Sequence, residues 1–415
     1  MPGFKTLNGN NLETEYLTNI EFIDRYASAQ LWAWGSNGGS SSSNGRLGLT
    51  GLSSGHTFFS DDGDRRQPER VIFGSMEPYP NYYANGALES SWKKLSIGRG
   101  TTHAIKSDGS LWYWSNVTFS TINSASFATY GGGSIDVSGG TGHSAVITYS
   151  GSIVSRGNNT FGQIGDGTRT ARTTLTLPIT GNGSWKSVSC GSNNTLAIKT
   201  DGTLWAWGDN TYGQLGDGTA IHKSSPVQNI LGGNTWSVIS SGDSHALAIK
   251  TDGTLWAWGI NDFGQLGDST VIAKSSPVQI PGTTWKTVIA GVKHSAAIKN
   301  DGTLWLWGAN SGNYVGLLGD GTSTNKSSPV QIISGGTWKQ VACGNTHNLG
   351  IKSDGTVWGW GADANGQLAT FTSTFTPKSS PVQTRLVGEG TLSGYWKQVA
   401  CGDNFSMMIG FDAWR

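Results

Sequence analysis

"IKTDGTLWAWG" occupies residues 198–208 and returns unchanged at 249–259. It sets two tryptophans, two residues apart, just behind an Asp-Gly pair, and that combination decides the fold. Asp-Gly between alternating apolar runs is a strong hairpin signal, because a type I′ turn needs positive φ at both central residues. Side chains alternate across a strand, so Trp205 and Trp207 share one face while Ala206 and Gly208 take the other. Bulky residues on one side and small ones opposite suit a sheet stacked between similar sheets.

The surrounding unit reads "WKSVSCGSNNTLAIKTDGTLWAWGDNTYGQLGDGTAIHKSSPVQ" from Trp185 to Gln228, and its opening Trp recurs at Trp236, Trp285, Trp338 and Trp396. The spacings are 51, 49, 53 and 58. Trp92 opens an earlier copy and Ile135 stands at the same place in "SIDVSGGTGHSAVITYSG", which makes seven openings. The Asp-Gly turn recurs at Asp108, Asp252, Asp301 and Asp354, with Ser150-Gly151 as a weaker version. Within a unit "WKSVSC", "TLAIK", "TLWAW" and "SPVQ" read as four short strands. Four-stranded units repeated at this period predict an all-β chain, a seven-bladed β-propeller. The chain finishes with "WKQVACGDNFSMMIGFDAW", the first half of a repeat, and "LWAWGSN" at 31–37 is a second half. The N- and C-terminal strands are therefore expected to complete the last blade together, which removes exposed sheet edges. The propeller is expected over 31–415, with 1–30 outside it.

Gly242, His245, Asp252-Gly253, "LWAWG" 255–259, "NDFGQLG" 261–267 and Pro277 together resemble the regulator of chromosome condensation repeat family. The units opening at Trp185, Trp236, Trp285 and Trp338 match well; the first three blades are more degenerate, and "GQLG" is missing after "LWYWSN" at 111–116. The resemblance implies the propeller and is nearly silent on function, since such propellers serve as exchange factors, enzyme inhibitors and interaction platforms.

Composition narrows the function classes. The chain carries 28 Lys and Arg against 27 Asp and Glu, a net charge of +1. With no basic tail there is no electrostatic case for nucleic acid or an anionic membrane. No apolar run approaches a membrane span, and the start "MPGFKTLNGNNLETEY" lacks the hydrophobic stretch of a signal peptide, so neither membrane insertion nor ordinary export is expected. Cys190, Cys343 and Cys401 fall at one repeat position, which argues for small buried fillers rather than a disulfide or zinc framework.

Within "NLETEYLTNIEFIDRYA", Leu12, Tyr16, Ile20 and Ile23 recur at helical spacing, so an amphipathic N-terminal helix is expected, either folded onto the propeller or anchoring it to another protein. Entry at Leu31 would bring this helix out on the face of the Asp-Gly turns. The long "GQLG" loops then lie on the opposite face, where binding is expected. The candidate partner-binding residues, all in irregular loops assigned to that face, are His56, Phe58, Phe59, Arg65, Phe119, Tyr130, Phe371 and Phe375. Aromatics among small polar residues suit recognition of glycan or protein, or simply pack the longer loops.

His143, His245, His294 and His347 share one repeat position that Thr101, Asn194 and Phe405 fill elsewhere, so packing or a hydrogen bond is expected of them rather than catalysis. Asp166, Asp217, Asp268 and Asp320 are expected to accept backbone N–H bonds in turns. No hydrolase elbow, zinc, P-loop or dinucleotide motif appears, so no catalytic residue, cofactor or metal site is assigned. The main expectation is a non-catalytic scaffold of a bacteriophage virion, a tail or fibre part. It would be held to other virion proteins through residues 1–30 and would recognise a host-surface glycan or protein by its loop face. The alternative is a cytoplasmic interaction propeller acting on a soluble protein as exchange factors or enzyme inhibitors do. A weaker third reading is a glycan-processing enzyme with carboxylates in the central pocket.

Overall fold

The structure, a computed structural model, describes residues 30–35, 65–70, 92–98, 101–115, 119–121, 133–179, 184–370, 376–386, 390–391 and 394–412. These form an all-β propeller built from seven four-stranded antiparallel sheets and one two-stranded ribbon. We number the sheets as blades 1 to 7: residues 92–121, 134–176, 185–228, 236–280, 285–331 and 338–383 in order, with blade 7 combining both ends of the described chain. In blade 7 the strand Gln30–Gly35 lies between Arg65–Arg70 and Phe405–Asp412, with Gly394–Cys401 innermost. Leu31 faces Ile409 and Ala33 faces Met407 across that pairing. The expected helix, with Leu12, Tyr16, Ile20 and Ile23, lies outside the described residues, whose one helical element is the 3-10 turn Gly312–Tyr314.

Blade 3 shows why the sequence folds this way. Its strands are Trp185–Cys190, Asn194–Lys199, Leu204–Gly208 and Lys223–Gln228. Leu196, Ile198, Leu204 and Ala206 form one face and pack against Trp236, Ala246, Ala248 and Trp258 of blade 4. The opposite face, with Trp185, Ala197, Trp205 and Trp207, packs against Ala145, Ile147 and Ile153 of blade 2. Fully burying a side chain of this size is worth about 2–3 kcal/mol, and the same stacking recurs around the ring.

The two tryptophans do different work. Trp207 is fully buried, and its indole N–H donates to the Gln163 carbonyl of blade 2 at 2.9 Å. Trp205 is half-buried and covers Lys199, whose Nζ lies 4.5 Å from its ring and 5.1 Å from that of Trp185. Lys106, Lys250, Lys299 and Lys352 sit between tryptophan pairs in the same way. Each contact of this kind contributes about 0.5–1 kcal/mol at partly exposed sites, and the lysine stem covers ring surface that would otherwise meet water.

Two stitches hold the ring. On the axis, Ser96, Ser138, Ser189 and Ser240 accept the amides of Gly139, Cys190, Ser241 and Ala290 on the next inner strand at 2.9–3.1 Å. Blades 6 and 7 have Ala342 and Ala400 there, and the glutamines two residues earlier take over. Gln340 accepts from Val399 N at 3.1 Å and Gln398 from Leu95 N at 2.8 Å, the latter joining blade 7 to blade 1. At one rim the turn glycines Gly109, Gly151, Gly202, Gly253 and Gly302 each accept the amide of the residue that opens the next blade, at 2.8–3.1 Å. This places the Asp-Gly turns and the inter-blade links on one face.

Candidate functional site

The opposite face carries the loops after the first and third strands of each blade. In blade 3 the long loop is organised by Asn210. Its Nδ2 donates to Asp217 Oδ1 and to the carbonyls of Thr219 and Ile221 at 3.0–3.2 Å, and its Oδ1 accepts from Leu215 N at 2.9 Å. Asp217 in turn accepts from the Thr219 amide and hydroxyl at 3.0 and 2.8 Å, the turn role expected of it. Asp166, Asp268 and Asp320 do the same, each beside a cation: Arg172, Lys274 and Lys326. The glycines of "GQLG" permit close docking on the next blade. Gly213 has φ +77 and any side chain there would strike the Ser275 backbone, and one on Gly216 would strike the Trp258 ring. Asn210→Ala leaves the Leu215 amide and the Thr219 and Ile221 carbonyls without their partner. We expect it to cost about 2–3 kcal/mol in urea unfolding, while Trp207→Phe, which removes one of the two donors to the Gln163 carbonyl and leaves Thr195 Oγ1 on it, should cost about 1 kcal/mol.

The repeated histidines lock these loops. Nε2 of His143, His245, His294 and His347 meets Thr195 Oγ1, Ser295 Oγ, Asn348 Oδ1 and Ser406 Oγ of the next blade at 2.6–2.9 Å. Those groups donate onward to the carbonyls of Gln163, Gln265, Leu317 and Gln367, on the loop of the histidine's own blade. A group that donates its hydrogen to the carbonyl must accept from the ring, so each ring is protonated at Nε2 and bare at Nδ1. Nδ1 finds no partner among the described residues. Burial therefore pushes these histidines down to about 3 or 4, and His103 likewise to about 3.

On this face the axial channel ends in a cavity of about 100 Å³, whose rim carries Thr141, Ser192, Asp243, Val292, Asn345 and Asp403, one from each of six blades. The three cysteines line its wall. Burial pushes the Cys190 thiol up to about 12 and raises Cys343 and Cys401 as well, so all three are neutral fillers near pH 7. Ser192 donates to the Asp243 carboxylate across the rim.

Around the channel the long loops present an aromatic arc. Phe161, Tyr212 and Phe263 stand immediately before the first glycine of "GQIG" or "GQLG" in blades 2, 3 and 4, and Tyr314 stands near that place in blade 5. Phe161 meets His222 edge-on at 5.1 Å and Phe263 meets Tyr314 at 5.8 Å, so each bridges to the following blade. Tyr212, Ile221, Val271 and Ile272 are exposed beside them, at 45%, 65%, 60% and 62%. Of the loop residues expected to bind a partner, His56, Phe58, Phe59, Tyr130, Phe371 and Phe375 lie outside the described residues. Arg65 and Phe119 open strands, the outermost of blades 7 and 1, rather than lying in loops. The arc escaped the sequence reading although its signal, an aromatic before the same glycine in three consecutive repeats, is plain.

Residues 123–412 match the RCC1-like domain family. Among relatives, human HERC3, a probable E3 ubiquitin-protein ligase, is 29% identical over 214 residues, half of this chain and 19% of its own length. The ultraviolet-B receptor UVR8 of Arabidopsis thaliana is 34% identical over 233 residues, 55% of this chain and 53% of its own. The chain thus spans about half or less of these two relatives. Among solved structures, Prp20p of Saccharomyces cerevisiae superposes with a TM-score of 0.77 at 19% identity, covering 93% of this chain and 92% of that one. Human WBSCR16 gives 0.73 at 18% identity, over 93% of this chain and all of the other. At such identities the likeness speaks for the fold alone. The match over 123–412, carried by the repeat residues described above, shows that the chain belongs to the RCC1-like domain family.

Proposed function

We propose that this chain is a protein-interaction propeller whose seven sheets close into one ring and whose long-loop face docks a partner protein. The observation that carries this is the arc of Phe161, Tyr212, Phe263 and Tyr314, with Ile221, Val271 and Ile272 exposed around it on loops that their own hydrogen bonds make rigid. Rigid aromatics rimmed by polar loops lose little entropy on docking and exclude water well, as protein interfaces require. Family membership supports the same reading. Prp20p is described with binding properties toward Gsp1p and histones, and with Kap60 bound. None of the relatives named above is a virion protein, which favours the cellular interaction reading over the tail or fibre one. His56, Phe58, Phe59, Tyr130, Phe371 and Phe375, outside the described residues, remain candidate contacts by sequence. Residues 1–30 remain a candidate second contact through Leu12, Tyr16, Ile20 and Ile23.

The test is affinity capture from the source lysate with the wild-type chain and with Tyr212→Ser/Val271→Ser/Ile272→Ser as baits. Loss of about 2 kcal/mol or more per buried anchor should remove the captured protein from the variant while its melting temperature stays put. Equal capture by both baits would overturn the assignment of this face.

A further inference from the structure

The Asp-Gly face carries a feature that the proposed docking face does not use. Every axis-lining strand has a β-bulge at its start. The pairing of first and second strands skips one residue in all seven blades, between Trp92 and Lys94, Ser134 and Asp136, Trp185 and Ser187, and so on to Trp396 and Gln398. The skipped residue is lysine in five of them: Lys93, Lys186, Lys286, Lys339 and Lys397. In the other two it is Ser237 and Ile135; in the latter blade the pairing puts Ser134 at the place of the opening tryptophan and Ile135 one residue later, not at the tryptophan place expected from sequence. A bulge leaves the extra residue out of the ladder and re-aims its side chain. Each of these lysines is accordingly exposed, although the tryptophan before it is buried.

Because the inner strands follow one another around the axis, the five lysines ring its Asp-Gly mouth. The other charges on this face largely cancel. Lys199, Lys250, Lys299 and Lys352, between their tryptophans, each act on the turn carboxylate two residues on, Asp201, Asp252, Asp301 or Asp354. Lys93, Lys186, Lys286 and Lys339, by contrast, form no ion pair with any described residue. In a chain of net charge +1 these four lysines place at one mouth positive charge that no carboxylate among the described residues pairs with. Between blades 4 and 5 the ring also borders a cleft of about 480 Å³, lined by Ser237, Lys250, Asp252, Thr284, Lys286 and Asn300. That volume is in the range of small-ligand sites.

We propose that the Asp-Gly mouth of the axis binds a compact polyvalent anion bearing several phosphate groups. Lysine is a point charge on a flexible stem, which suits phosphate oxygens approached from several directions. Charges set radially around an axis match a compact ligand with radiating anionic groups better than a flat or extended one. Ser237, at the lysine position of blade 4, and the cleft beside it leave room on that side.

The experiment is isothermal titration of the full chain with myo-inositol hexakisphosphate and with inorganic tripolyphosphate, at about 50 and about 300 mM NaCl, where screening of exposed charges differs strongly. Saturable one-to-one binding is expected, weakening by roughly tenfold or more at the higher salt. Lys186→Gln/Lys286→Gln/Lys339→Gln should weaken it by a further factor of roughly thirty, since each removed charge near a polyanion is worth about 0.5–1 kcal/mol. Lys293→Gln, on the opposite face, should leave it unchanged, and all variants should melt as the wild type does. No binding at millimolar ligand, or equal binding by the triple variant, would overturn the proposal. So would tighter binding of an oligoglutamate peptide than of either phosphate probe, which would give the ring to an acidic protein segment instead.

Discussion

Lowering the pH from 8 to 5 should unfold the ring cooperatively, well before its carboxylates protonate. His103, His143, His245, His294 and His347 are held near 3 or 4 by burial, against about 6.5 in an unfolded chain. A histidine whose folded value is depressed stabilises the fold fully above about 6.5, and that contribution is lost as the pH falls toward the folded value. Between pH 6.5 and 5 the unfolded chain binds a proton at each site and the folded chain does not, at about 1.4 kcal/mol per pH unit and site. The loss at pH 5 is then about 2 kcal/mol per histidine, or on the order of 10 kcal/mol for the set, which is comparable to the whole stability of an ordinary domain. The turn aspartates Asp201, Asp252 and Asp301 are held below the usual carboxylate value by hydrogen bonds from Thr203, Thr254 and Thr303, so their contribution fades only at lower pH. Urea midpoints followed by tryptophan fluorescence from pH 8 to 5 measure the slope. His245→Asn/His294→Asn/His347→Asn, which copies the residue blade 3 uses at Asn194, should lower stability at pH 8 and flatten the slope by about three-fifths. An unchanged slope would clear the histidines of the effect.

The histidines also show where sequence reading succeeds and where it stops. Their recurrence at one repeat position, with Phe405 tolerated, already argued for packing or a hydrogen bond, and the structure supplies the partner that one chain position cannot reveal: a hydroxyl or amide from the next blade. Strand content and the pairing of both chain ends were legible for a related reason. Periodicity and Asp-Gly turns are local, and a half-repeat at each end has one economical completion. The double tryptophan was legible as a facial pattern but not as two roles, because Gln163 and Lys199 meet it only across a blade boundary and across a hairpin. The lysine ring was the least visible. In sequence Lys186 is a polar residue in an alternating strand; only the skipped pairing between Trp185 and Ser187 turns it out of the sheet. Arg65 and Phe119 went to strands for the opposite reason. Their segments lack the "SPVQ" pattern of the outer strands of blades 3 to 6, so nothing local marks them as strand.

Deleting residues 1–35 should destabilise the ring more than any single substitution above. The strand Gln30–Gly35 is paired on both edges, with Phe405–Asp412 on one side and Arg65–Arg70 on the other. Its loss leaves two edges open and unseats Ala33 from a core it shares with Leu95, Phe405, Met407 and Ile409. Leu95 and Trp92 in that core belong to blade 1, so the damage reaches the one junction where the ring is closed by non-consecutive segments. Backbone groups on a newly buried or half-buried edge cost about 1–3 kcal/mol each when unpaired, and exposed apolar side chains add about 25 cal/mol per Å². A total above about 5 kcal/mol is expected, with a shallower urea transition as blades 7 and 1 separate before the rest. A synthetic peptide of residues 28–37 added in trans should recover part of the lost midpoint, saturating with its concentration, because the strand acts by pairing and not by its covalent link. The same peptide with Ala33→Glu should recover nothing, since its carboxylate would enter the core beside Met407 without a partner. If the truncated chain melted like the intact one, the other inter-blade stitches alone would suffice to hold the ring, and the closing strand would be dispensable.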